Sequence, residues 1–177
     1  MSESGPTEMN SSMTGDWESL AQGAARNLSG LGDDDAPELL RELLVFGLDG
    51  SSYAVPVERV REIVRLRELT GIPRTPAWLL GVVALRGEVV EVVDLRSRLG
   101  LGASTPNRTH RIVVVHGEAD RVTGLLVDSV SEVYRVSDRD VMPSQGVDTT
   151  AVSGVCPRGH EFISILDIER AVGVHDV

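Results

Sequence analysis

This sequence predicts an all-β fold made of two related units, and three observations predict it. The first is an ordered internal repeat, the feature to seek before any other. Val57-Glu58-Arg59-Val60-Arg61-Glu62-Ile63 is echoed by Val127-Asp128-Ser129-Val130-Ser131-Glu132-Val133. Gly81-Val82-Val83, followed by Glu88 to Leu95, is echoed at identical spacing by Gly154-Val155-Cys156, followed by Glu161 to Ile168. The second is composition: aromatic residues make up only 3% of the chain, so its cores must be aliphatic and β-branched, which favours strands. The third is punctuation, because short apolar runs alternate with turn signals such as Asp49-Gly50.

The repeat divides the 177 residues into a flexible acidic tail, 1–40, a first unit, 41–102, and a second unit, 108–174. Units this small bury little core alone, so the two are expected to pack against each other. In the tail, Asp33-Asp34-Asp35 and the Ser, Gly and Asn content predict disorder. Trp17, Leu20, Ala21, Ala24 and Leu28 fall at helical spacing behind Asp16, a pattern for a transient helix in a disordered arm.

Leu43 to Leu48 reads as a buried strand, Asp49-Gly50 as a hairpin turn and Tyr53 to Val57 as the returning strand. Glu58 to Arg67 reads as a short turn leading into an exposed edge strand. Pro73 and Pro76 break the chain, and Ala77 to Leu80 predicts one helical turn. Val82 to Leu85 and Val89 to Val93 form a hairpin across Arg86-Gly87-Glu88, which presents Arg86 to solvent. Arg96 to Leu99 closes the unit as a brief helix, and Gly100 to Asn107 is the connector.

The second unit follows the same plan. Ile112 to His116, a turn over Gly117 to Asp120, Val122 to Val127 and Glu132 to Val136 supply its first strands, and Asp138 to Thr150 is its loosest part. Pro157-Arg158-Gly159 predicts a second hairpin turn, Phe162 to Leu166 a strand, and Ile168 to Val172 a closing helical turn. Each unit therefore offers about five strands, the number of a small closed barrel.

Composition also excludes function classes. A net charge of -10 opposes partners that need phosphate neutralisation, so neither nucleic acid nor an anionic membrane surface is expected. No apolar stretch approaches bilayer length, and one cysteine precludes an intramolecular disulfide, which together predict a soluble cytoplasmic protein without direct membrane insertion. His110, His116, His160 and His175 lack metal-ligand spacing, and no glycine-rich phosphate loop occurs, so no metal or cofactor is expected. Cys156 with His160 is a conceivable nucleophile and base, but without an orienting signature a buried Cys is the cheaper account. Glu88, Glu91 and Asp94 do not converge and read as solvated charges. A binding module, not an enzyme, follows.

Several spaced motifs carry a family resemblance. Phe46-x-Leu48, Tyr53-Ala54-Val55-Pro56-Val57, Val60-x-Glu62-Ile63, Pro73-x-x-Pro76 and Gly81 to Arg96 resemble the CheW-type coupling proteins of chemotaxis arrays, as does Gly124 to Val133. The resemblance implies two five-stranded, SH3-like β-barrels with no catalytic activity. It implies an adaptor joining the cytoplasmic hairpin tip of chemoreceptors to the regulatory domain of a CheA-type histidine kinase, and residence at cytoplasmic receptor arrays. By the same resemblance, receptor and kinase contacts fall to Arg86, Glu62, Val60, Leu80, Gly87 and Leu85. Leu80 stands where the family is often polar, and Ala84 where it commonly has asparagine. An adaptor of a parallel pathway for gliding, pili or development is an alternative within the family, and a kinase regulatory fragment is a further one.

Overall fold

The structure is a computed structural model that describes residues 37–144 and 151–173. The Trp17 segment, most of the acidic tail and residues 145–150 and 174–177 lie outside the described residues. Among the described residues, eleven strands and two short helices follow in order. The first repeat supplies β1 (Leu40–Leu48), β2 (Ser51–Pro56), β3 (Val60–Arg65), β4 (Leu79–Leu85), β5 (Glu88–Asp94) and α1 (Leu95–Arg98). The second supplies β6 (Arg111–His116), β7 (Val122–Val127), β8 (Ser129–Ser137), β9 (Met142–Pro143), β10 (Val152–Arg158), β11 (Glu161–Leu166) and α2 (Ile168–Val172).

Sheet membership does not follow the boundary between 41–102 and 108–174. One sheet runs β3-β6-β7-β5-β4 and the other β8-β1-β2-β11-β10-β9, so each repeat lends its leading hairpin to the other's sheet. The exchange is reciprocal: β5 runs parallel to β7, with Val92 beside Gly124, and β11 runs parallel to β2, with Ile165 beside Ala54. Both sheets also close in the same way. The chain leaving β3 returns at Thr70 to bond both ways with Val82 of β4, at 2.9 and 2.8 Å. The chain leaving β8 passes through a 3-10 turn and returns as β9 beside β10. Counting β8 and β9 as one bent strand, each sheet is a five-stranded barrel.

The exchange has a physical benefit, since small units with limited cores gain a shared one. Val83, Leu85, Val90, Val92, Ile112 and Leu126 fill the first barrel. Leu43, Val45, Cys156, Ile163 and Ile165 fill the second. A third cluster lies between them and draws on both repeats, with Phe46 and Leu48 meeting Val113, Leu125, Leu166 and Ile168. Complete burial of each such side chain contributes about 1.5–3 kcal/mol.

Three local expectations change. Ala77 and Trp78 form a turn and β4 begins at Leu79, because the bond from Leu79 N–H to the Pro76 carbonyl at 3.0 Å is not continued. β10 runs through Arg158, so its hairpin turns at Gly159-His160, where Gly159 takes the positive φ of 62°. Asp94 is not a solvated charge, being only 2% exposed. Its carboxylate caps α1 by accepting from the N–H groups of Arg96 and Ser97, at 3.1 and 3.4 Å. It also accepts from the Ser97 hydroxyl and from the N–H and hydroxyl of Ser104, which fastens the connector. Burial pushes its pKa up, but the bonds from Ser104 and Ser97 outweigh this and hold it below the usual value.

A candidate partner-docking site at the Arg86 turn

The β4–β5 hairpin turns on two residues with positive φ, Arg86 at 50° and Gly87 at 84°. This is the left-handed pair that matches strand twist, and glycine at the second place relieves its strain. Arg86 is thus held on a tight turn with its side chain 76% exposed. Its Nε lies 3.4 Å from Glu62 Oε2, and the Glu62 side chain is only 18% exposed.

A bulge in β3 explains how two adjacent residues reach this turn. The register with β6 shifts between Val60 and Glu62, leaving Arg61 as the extra residue. Strict alternation would send Arg61 and Glu62 to opposite faces, whereas a bulge re-aims one of them. Arg61 meets Glu88 and Glu62 meets Arg86. Arg86 therefore pairs across the barrel seam with Glu62, not with its hairpin neighbour Glu88.

The second repeat provides an internal comparison. β8 carries the same bulge, skipping Ser131, and Glu132 accepts from Arg158 at 2.8 Å. Arg158 is also fastened to Ser52 Oγ at 2.9 Å and Glu161 at 3.3 Å, and its side chain is 25% exposed. Its guanidinium is committed within the molecule. Arg86 has one long ion pair and an exposed head, so it retains donors for a partner.

The other expected contact residues are distributed unevenly. Leu85 is buried in the first barrel's core. Leu80 is the extra residue of a second bulge, between Leu79 and Gly81, and packs half-buried on that same core. Val60 packs half-buried on the shared core between the barrels. Arg86, Gly87 and Glu62 are thus brought together, while Leu80 and Leu85 pack on the first barrel's core and Val60 on the shared one. Sequence reasoning missed Val89, placed in an apolar run but 72% exposed beside the turn, opposite exposed Ala84. Its counterpart Phe162 is 60% exposed, so the repeat alignment itself held the signal: an apolar side chain at the same outward place in both copies.

Cys156 is fully buried among Val45, Ala54 and Ile163. Burial raises its pKa, Arg158 opposes and Asp140 adds to the rise, which disfavours the thiolate a nucleophile needs.

The model of the CheW-like domain family matches residues 42–174. The chain belongs to the CheW family. A chemotaxis protein CheW of Rhizobium meliloti is 42% identical over 107 residues, covering 60% of this chain and 68% of the relative. Protein FrzA of Myxococcus xanthus is 36% identical over 104 residues, covering 58% and 64%. The crystal structure of the CheW scaffolding protein TtCheW from Thermoanaerobacter tengcongensis matches with a TM-score of 0.69 and 30% identity, covering 73% of this chain and 90% of that one. CheW membership agrees with the paired barrels and leaves the acidic tail outside the matched region. Among the described residues, no helix is long and apolar enough to cross a membrane.

Proposed function

We propose that this CheW-family chain is a cytoplasmic, non-enzymatic adaptor that couples the hairpin tip of chemoreceptors to the regulatory domain of a CheA-type histidine kinase. The observation that carries the reading is the Arg86 turn, an exposed guanidinium on a rigid two-residue turn backed by a mostly buried Glu62. Arg86 offers a bidentate donor to a receptor carboxylate, and its loose pair with Glu62 at 3.4 Å leaves it free to do so. Gly87 permits the turn, and buried Leu85 anchors the strand that enters it. Coupling then resides in the differential affinity of two docking surfaces for the two states of the receptor.

Calorimetric titration with a receptor hairpin-tip fragment tests this. Arg86→Glu should weaken binding at least about tenfold, roughly 1.4 kcal/mol, with an unchanged circular dichroism spectrum. Unchanged affinity would remove Arg86 from the receptor surface. The relative FrzA favours a second reading, an adaptor of the same kind in a parallel pathway for gliding, pili or development. Deleting the gene and scoring swimming against surface motility separates the two.

A further inference from the structure

A second polar surface lies at the far end of β3 from the Glu62 bulge. Arg65 and Arg111 stand directly opposite each other in the β3–β6 pair. Like charges in that arrangement are destabilising. With Arg108 they line a notch of about 500 Å³, together with Leu66, Asn107 and His110, and no carboxylate lines it. Among the described residues none of the three arginines makes a salt bridge; Arg111 Nη1 instead donates to the carbonyls of Arg108 and His110, each at 2.8 Å. His110 is occupied elsewhere, with Nε2 3.2 Å from Asp128 and Nδ1 accepting from the Asn107 N–H.

The duplication supplies the comparison. At the equivalent place in the other barrel, β1 pairs with β8 and Glu42 stands opposite Arg135, bonded at 2.7 Å. The depression there, lined by Leu40, Arg41, Glu42, Glu58 and Arg135, is charge-balanced, and Arg41 is paired with Asp138. One copy completes its charge pair internally, and the other puts arginine where the glutamate stood. In a chain of net charge -10, such a cluster is not a by-product of general basicity.

We infer that the Arg65–Arg108–Arg111 notch is a docking surface for a carboxylate-rich segment of a partner protein, whose acid supplies the negative charge that Glu42 gives the other barrel. Arg111 is half-buried and fixed by two carbonyls, so one guanidinium is already oriented, while Arg65 and Arg108 are exposed and close from the rim. An acidic peptide segment fits better than nucleic acid, because three arginines amid a net negative surface cannot track a phosphate backbone. The surface is distinct from the Arg86 turn, so its test is independent of the receptor reading.

The test is fluorescence anisotropy of the full chain with a labelled peptide alternating glutamate and serine. Binding should be saturable, should weaken as salt screens it, and should fall at least about tenfold in both Arg65→Glu and Arg111→Glu. Arg135→Gln, in the balanced copy, should leave it unchanged. A second readout covers folding: Arg65→Glu sets an acid opposite Arg111, the charges of the Arg135–Glu42 pair with the strands exchanged, so its melting temperature should rise by about 1–4 °C. Equal loss in Arg135→Gln, undiminished binding in Arg65→Glu, a lower melting temperature, or tighter binding of a single-stranded oligonucleotide at these arginines would each overturn the inference.

Discussion

Glu62 and Glu132 occupy the same place in the two copies, but the arginines they meet differ in freedom. Arg158 spends its donors on Glu132, Ser52 and Glu161, whereas Arg86 holds Glu62 loosely and faces outward. Asp94 shows the opposite economy, a carboxylate turned wholly inward to cap α1 and fasten Ser104. Asp94→Asn should lower stability by about 1–3 kcal/mol at neutral pH in urea unfolding, since hydrogen bonds to a charged group are lost. Unfolded, Asp94 titrates near 3.8; folded, its value is lower. Its contribution is therefore complete above that pH and disappears as pH falls through the lower folded value, a dependence that Asp94→Asn should lack. The Arg86 turn was legible because glycine at the second turn position is local chemistry. Asp94 was not, because its principal donor, Ser104, sits ten residues away in a connector whose path no local rule predicts.

Paired bulges recur as elements of the design, at Arg61 and Ser131 on one side and at Leu80 and Ser153 on the other. The glycine after each second-type bulge touches the returning chain that closes its barrel. A Cβ on Gly81, where φ is 143°, would lie 2.3 Å from the Thr70 carbonyl oxygen, and one on Gly154 would lie 2.9 Å from that of Met142. Gly81→Ala should cost about 3 kcal/mol or more, since backbone cannot retreat as a side chain can. Gly50→Ala, at a positive φ in open space, should cost only roughly 1–2 kcal/mol. Chemical denaturation of both variants checks the order, and equal losses would show that Gly81 does not hold the seam. Strands and hairpins were readable from alternation and turn residues, and Asp49-Gly50 turns where expected, with φ of 50° and 79°. Strand partners were not readable: β1 with β8 and β5 with β7 join residues far apart in sequence, which periodicity leaves undefined.

At the scale of the molecule, duplication with exchanged hairpins makes the two barrels mutually dependent. A fragment ending in the connector would keep β1 and β2 without β8 and β11, and β5 without β7. Each half, 1–104 and 105–177, should therefore be unfolded alone by circular dichroism and regain strand signal on mixing. A half that folds by itself would contradict the exchange. The repeat in the sequence announced two units but not that they trade strands, because a swapped and an unswapped hairpin bury the same residues. Mutual dependence also suits an adaptor, since surfaces on two barrels that share one core keep a fixed geometry. In the proposed adaptor one surface, centred on Arg86, engages the receptor while another engages the kinase. Sedimentation velocity of the chain mixed with a receptor tip fragment and a kinase regulatory domain distinguishes the two surfaces. The wild type should form a three-component species, and Arg86→Glu should retain the kinase and lose the receptor. Assembly of the same three-component species by Arg86→Glu would rule out Arg86 as the receptor anchor.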